Sequence, residues 1–446
     1  MSDFVQSGLA MRGHRTSSAE GPFALRTRAP IVYDLTHLIA RLASNTATGI
    51  DRIDLAFATH FFTGPGSCEA VRYGWGPPRK IDRAWAVEFT RAAQRIWKHP
   101  QARRIEALWA WLDSEAEKPT FDFAQADAPD GRRRWLRWLG YFMGDPRGSV
   151  PKGAIYINVA YHRFEQPRFF AWLATRPDVC GVFMVHDLLP LDYPEYFEVG
   201  EVAKFRARIA TALRYGRAFL VSTEAVRQRL QREIAAQGLP PRPIWARHFP
   251  SPLTDFAPTE RRVVKRPYFV MVGTIEPRKN HLLILQIWRA LARSAEMPPR
   301  LVIVGARGWE NEQVLDMLDR CEALVPHVLE IQKLSSSELA QLIAGARALL
   351  APSFDEGYGL PIVEALSLGT PVVASDCEAI REVAQGCARL LSPLDGIAWA
   401  AEIERLAMDD AYFARAQADA ADFSPPSWSD YFKSLDAFIG SVCEPA

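Results

Sequence analysis

Residues 348–375, ALLAPSFDEGYGLPIVEALSLGTPVVAS, decide the fold. The run ALLA at the start and PVVAS at the end are short, apolar and closed by turn residues. Runs of that kind read as strands buried on both faces. Between them Gly357 and Gly359 permit unusual backbone angles. Pro361 stands where a helix starts, and IVEAL continues it. Strand, loop, helix and strand make one βαβ unit, so the two strands run parallel in a sheet covered by helices.

Working outward, residues 268–273 (YFVMVG), 301–305 (LVIVG) and 388–391 repeat the strand pattern, with helical stretches between most of them. Ser335 and Glu338 form an S-x-x-E capping box ahead of LAQLIAGA. The first half alternates in the same way. Residues 31–35, 154–160, 180–187 and 218–222 read as strands; residues 50–62, 203–215 and 224–235 read as helices. Pro250, Pro252 and Pro258 cluster between the halves with the character of a linker. The fold class expected is α/β: two doubly wound, Rossmann-like domains facing a central cleft. Residues 1–28 are a loose tail, 29–255 the N-terminal domain, 256–425 the C-terminal domain and 426–446 a final helix. Ligands in such sheets bind at the carboxyl ends of the strands.

The chain has 446 residues, is 48% hydrophobic and carries a formal net charge of +1. A balanced charge gives no general attraction to nucleic acid or anionic membrane, so any anion site must be local. Six scattered cysteines without a C-x-x-C pair argue against a zinc site or a disulfide framework and for idle thiols in a reducing cytoplasm. No secretory leader and no run long enough to span a bilayer are apparent.

Two clusters carry chemistry. In GTIEPRKNH, residues 273–281, Arg278 and Lys279 follow a buried strand and precede a helix. A helix N-terminus already favours anions, and two cations add charge-assisted hydrogen bonds, a match for a diphosphate. In FDEGYGLPIVE, Glu356 lies on the loop and Glu364 one turn into the helix. Both can face one cleft and accept hydrogen bonds from sugar or ribose hydroxyls. A solvated Arg-Lys pair, or acidic residues favouring a helix N-terminus, explains either cluster alone; both at matching places in one domain point to a site. Two further features are His186-Asp187 and His162, each at a strand's carboxyl end. Another is the turn Thr48-Gly49-Ile50-Asp51-Arg52, with a structural turn equally in view.

At these residues the chain resembles glycosyltransferase family 4 of the GT-B superfamily. GTIEPRKNH and FDEGYGLPIVEALSLGTPVVAS match its signatures, with Glu356 and Glu364 as the E-x7-E pair. The resemblance is strong over about residues 265–395 and weaker at TGIDR, HDLLPLDYP and VSTEAVR. It implies a catalytic set of Arg278, Lys279, Glu356 and His186. The two cations neutralise the departing diphosphate, Glu356 contacts the donor sugar and His186 lies over it from the other domain. It implies donor contacts at Gly273, Thr274, Gly357, Tyr358, Gly359, Leu360, Glu364, Gly49, Lys333 and Leu334, with Glu364 holding the ribose. The last helix is expected to cross back to the first domain.

Charge development on the leaving diphosphate needs a divalent metal or fixed cations. The chain has no D-x-D motif, so no metal and no other cofactor is expected, and retention by front-face substitution is favoured. The wording resembles bacterial polysaccharide mannosyltransferases, implying GDP-mannose and a saccharide or lipid-linked acceptor. UDP-sugars remain the alternative donors and a non-catalytic GT-B-like protein the alternative class. No nucleic acid partner is expected, the expected location is cytoplasmic, and the oligomeric state is open.

One stretch departs from the alternation. An insert at about residues 80–145 mixes Trp97, Trp109, Trp111, Trp135 and Trp138 with Arg103, Arg104, Arg132, Arg133, Arg134 and Arg137. It reads as helical, with tryptophans packed on the N-terminal domain and arginines in water. A surface for a membrane-borne acceptor, with peripheral contact at the inner face of the membrane, is the sharper alternative.

Overall fold

The computed structural model describes residues 29–41, 47–64, 66–74, 76–98, 102–114, 145, 150–332 and 334–443. Two sheets organise them. The first holds β1 (Ile31–Asp34), β2 (Cys68–Gly74), β3 (Gly76–Ile81), β4 (Ile155–Asn158), β5 (Cys180–Val185), β6 (Ala218–Val221) and β7 (Ile244–Ala246), in the order β3-β2-β1-β4-β5-β6-β7. The second holds β8 (Tyr268–Val272), β9 (Arg300–Val304), β10 (Val328–Ile331), β11 (Ala348–Ala351), β12 (Val372–Ser375) and β13 (Arg389–Leu391), in the order β10-β9-β8-β11-β12-β13. Every pairing is parallel except that of β2 with β3. This is the pair of doubly wound α/β domains expected. Strand order reverses at β1/β4 and at β8/β11, and the loops leaving those strands face the cleft.

Four strands escape sequence reading: β2, β3, β7 and β10. Each lies at or next to a sheet edge, where one side meets water and the apolar run is diluted. β3, GPPRKI, carries two prolines, which an edge strand tolerates because it need not donate on both sides.

The insert departs from expectation in one respect. Helices Arg83–Lys98 and Ala102–Asp113 are present, and Trp97 is buried. The second helix, however, seats its tryptophans on the C-terminal domain. Trp109 meets Tyr268 edge-on at 6.2 Å, and Arg262 lies over the Trp109 ring at 4.8 Å. The guanidinium of Arg300, a fully buried residue, stacks on Trp111 at 4.2 Å and donates to the Ser114 carbonyl at 2.8 Å. Burying an arginine is costly unless its N–H groups and face are occupied, and the insert supplies one acceptor and an aromatic face. Trp135, Trp138, Arg132, Arg133, Arg134 and Arg137 lie outside the described residues.

Helix Trp428–Val442 packs on the first domain. Phe432 stacks on His60 at 4.1 Å and Tyr431 meets Trp245 at 5.0 Å. Its end corrects the reading of the cysteines. Cys443 is bridged to Cys180 at the start of β5, with Cα atoms 5.8 Å apart, while Cys68, Cys321, Cys377 and Cys387 are free. The partners are 263 positions apart, so no spacing announces them; the returning helix brings them together. No described helix is long and apolar enough to cross a membrane.

Candidate active site

After β8, Gly273 has φ 144°, a conformation that side chains resist. A Cβ there would lie 3.3 Å from Cε of Lys279. Residues Pro277–Lys279 make one 3-10 turn, Asn280 takes φ 53°, and helix His281–Ser294 begins. The turn carries Arg278 and Lys279 toward the loop leaving β11. The two loops are tied by their backbones, since the Phe354 N–H donates to the Arg278 carbonyl at 2.9 Å.

Glu356 is where the cations converge. Its Oε1 lies 2.5 Å from Lys279 Nζ and its Oε2 2.9 Å from Arg278, and the Ser353 hydroxyl donates to Oε1 at 2.6 Å. Burial opposes the carboxylate charge, but Arg278 and Lys279 outweigh it and hold the group at about 2. Burial likewise opposes the Arg278 charge, and Glu356, Glu276 and Asp187 more than restore it. Glu276 pairs with Arg278 at 2.6 Å. Burial pushes Glu276 and Asp187 toward their neutral forms.

Helix Leu360–Ser367 follows, opened by Gly359 in the left-handed region at φ 80°. Its free N–H groups end on this loop. Glu364, its fifth residue, is wholly buried and pairs with Arg52 of the N-terminal domain at 2.9 Å. Burial raises its pKa and Arg52 pulls the other way. Arg52 sits on helix Gly49–Thr63, whose start is fixed by a capping box between Thr48 and Asp51.

The domains touch at Gly357. A Cβ there would lie 2.6 Å from Asp187 Cβ and 2.7 Å from the His186 carbonyl, so only glycine permits the approach. The Thr223 hydroxyl donates to the Gly357 carbonyl at 3.0 Å. Gly49 sits against Leu360. Arg229 donates to Asp355 at 2.7 Å, and Asp355 accepts the Glu356 N–H at 2.8 Å.

Of the residues singled out from sequence, the structure gathers Gly273, Arg278, Lys279, Glu356 and Gly359 in one place. Gly357 and Leu360 lie on the same loop and helix start. Thr274 lies on the turn after β8, against Gly308. The Tyr358 hydroxyl points away and donates to the Phe249 carbonyl at 2.6 Å. Leu334 is buried in the core. Lys333 lies outside the described residues. The His186 side chain is not brought to the cluster. Its Nε2 bonds the Val159 carbonyl at 2.6 Å, and burial lowers its pKa to about 4. Its neighbour Asp187 is the residue that faces Arg278. His162 stacks on Tyr73 and lies tilted against His37 in the N-terminal domain. Sequence reasoning gave no role to Arg229 or Glu276, and it named Asp187 and Arg52 only as members of the His186-Asp187 pair and the Thr48–Arg52 turn. Glu276, Asp187 and Arg52 stood inside quoted motifs; Arg229 carried no signal. Among the described residues no cluster of three metal-ligating side chains gathers.

Residues 266–409 match the family described as Glycosyl transferases group 1. The chain is 35% identical over 161 residues to O-antigen chain mannosyltransferase B of Escherichia coli, covering 35% of this chain and 42% of that one. It is 46% identical over 163 residues to MMP alpha-(1->4)-mannosyltransferase of Mycolicibacterium hassiacum, covering 32% and 39%. The match thus spans less than half the length of these relatives. Among solved structures, sucrose-phosphate synthase from Thermosynechococcus elongatus superposes with a TM-score of 0.57 at 14% identity, covering 93% of this chain and 98% of that one. Anabaena HepE with UDP and glucose superposes with a TM-score of 0.57 at 15% identity, covering 93% and 100%.

Proposed function

We propose that this chain, whose residues 266–409 match the Glycosyl transferases group 1 family on a GT-B fold, is a retaining, metal-independent hexosyltransferase. Its donor is a nucleoside-diphosphate sugar; the relatives named as mannosyltransferases favour mannose, carried as GDP-mannose on this reading. The acceptor is a saccharide or lipid-linked glycan of surface polysaccharide synthesis. The observation that carries the reading is the convergence of Arg278 and Lys279 on one carboxylate, Glu356, beside the N-terminus of helix Leu360–Ser367.

Glu356 stands in that arrangement as an internal anion. A diphosphate entering the loop exchanges for it: the two cations pass to phosphate oxygens and Glu356 turns to sugar hydroxyls. As the glycosidic bond breaks, negative charge grows on the leaving phosphate, and fixed cations in a dry site stabilise it where water would have to reorganise. The leaving oxygen, on the same face as the acceptor hydroxyl, takes its proton. Glu364 holds the ribose once Arg52 releases it.

Incubation with GDP-mannose and with UDP-glucose, with and without excess chelator, tests this. Release of nucleoside diphosphate from GDP-mannose, unchanged by chelator, is expected, with an α-configured product. Abolition by chelator or an inverted product contradicts it.

A further inference from the structure

A second cavity, of about 890 Å3, opens between helices Gly49–Thr63, Arg83–Lys98 and Trp428–Val442, the turn Thr254–Phe256 and the start of helix Ser336–Gly345. That volume lies in the range of small-molecule sites, roughly 300–1,000 Å3. It shares Arg52, the partner of Glu364, with the donor site above.

Its body is apolar and aromatic. Leu55, Trp97, Phe256, Trp428 and Phe432 line it. His60 lies parallel to Phe432 at 4.1 Å, and Trp428 stacks on Phe432 at 5.4 Å, giving one continuous wall. Its rim is cationic. Arg52, Arg91, Arg95, Lys98 and Lys433 face two carboxylates, Asp255 and Asp436. Asp436 is already taken by His60 at 3.2 Å. Arg91 pairs with Glu88 at 2.8 Å and Arg52 with Glu364 at 2.9 Å. Among the described residues Arg95 and Lys433 have no carboxylate partner.

A nucleotide or sugar needs polar partners along its whole body. Here Thr59, Gln94, Ser336 and Ser429 line the cavity along with the charged residues, but the Trp428–Phe432–His60 wall offers one uninterrupted aromatic face, which suits a hydrocarbon body. We propose that it binds an amphiphile with a phosphate-type anionic head and a hydrocarbon body, the head held by Arg95 and Lys433 and the body lying on the Trp428–Phe432–His60 wall. The inference stands apart from the proposed transfer reaction, because its test requires no turnover.

Calorimetry on the intact chain, with farnesyl phosphate below its micellar concentration as probe, decides it. Saturable binding is expected, weakened at least tenfold in an Arg95→Glu/Lys433→Glu variant. Both side chains are exposed, and circular dichroism confirms that the variant is folded. Farnesol, lacking the head, is expected to bind at least tenfold more weakly. Inorganic phosphate is expected not to compete at equal concentration. No binding of farnesyl phosphate, binding unchanged by the charge reversal, or equal binding of inorganic phosphate overturns the site. Equal competition by phosphatidylglycerol vesicles assigns the patch to a membrane surface instead, and competitive displacement by GDP merges the cavity with the donor site; either result contradicts the proposal.

Discussion

Both sheets end in a cluster of carboxylates at the cleft, yet the two clusters are held in opposite ways. In the C-terminal domain Glu356 is held mainly by cations, Arg278 and Lys279, on a loop. In the N-terminal domain Asp34 is held by neutral donors. The Tyr156 hydroxyl lies at 2.5 Å, Asn158 Nδ2 at 3.0 Å and the Thr36 N–H at 2.8 Å. Nearby, Asp54 accepts from the Tyr33 hydroxyl and binds His37 at 2.8 Å. A cation paired with a loop carboxylate can exchange it for a ligand's phosphate. A hydroxyl or amide aimed at a strand-end carboxylate inside the core has nothing to exchange with. On the proposed function, one cluster opens to a ligand and the other stays shut.

Substitutions break this contrast in different observables. Lys279→Ala is expected to cut turnover about 10²- to 10³-fold, the scale of losing one fixed donor to transition-state charge, with the thermal midpoint nearly unchanged. Near-normal turnover would remove Lys279 from the leaving-group site. Asp34→Ala does the reverse. It orphans the Tyr156 hydroxyl and the Asn158 amide inside the core, and should lower unfolding stability by about 3 kcal/mol in urea titrations. A loss under about 1 kcal/mol would mean the network is not structural.

The histidine beside the cleft sharpens the contrast through pH. The folded-state pKa of His186 is about 4, against about 6.5 in an unfolded chain. Between these values the unfolded state binds the proton and the folded state does not, so stability falls as pH drops through that window and levels off below it. From pH 7.5 to pH 5.0 the loss from this residue is about 2 kcal/mol. His186→Gln removes that share of the slope, while His281 and His327, also depressed by burial, keep theirs. An unchanged pH slope in the variant would show that His186 titrates normally. The smallest effect expected is Glu364→Ala, which should weaken GDP binding about tenfold, or 1.4 kcal/mol.

The core of this arrangement was legible in the sequence because it is local. Gly273, Arg278 and Lys279 follow one strand, and Glu356 and Glu364 follow another. Parallel βαβ logic puts both loops at the same end of one sheet. What escaped is non-local. Arg52 meets Glu364 across more than three hundred positions, and Arg229 meets Asp355 across the cleft. Neither contact has a spacing that pattern reading can find. The edge strands were lost because half-exposed strands lack a continuous apolar run. Trp109 and Trp111 were assigned to the wrong domain because periodicity shows that a face is buried, not against what.

The claim at the centre is that Arg278 and Lys279 hold a diphosphate by exchange with Glu356. Calorimetry of GDP and GMP with the wild-type chain and with Lys279→Ala tests it most directly. The account predicts that GDP binds wild type much more tightly than GMP does, and that the variant loses at least tenfold for GDP and little for GMP. Equal losses for the two nucleotides, or none for GDP, would contradict it.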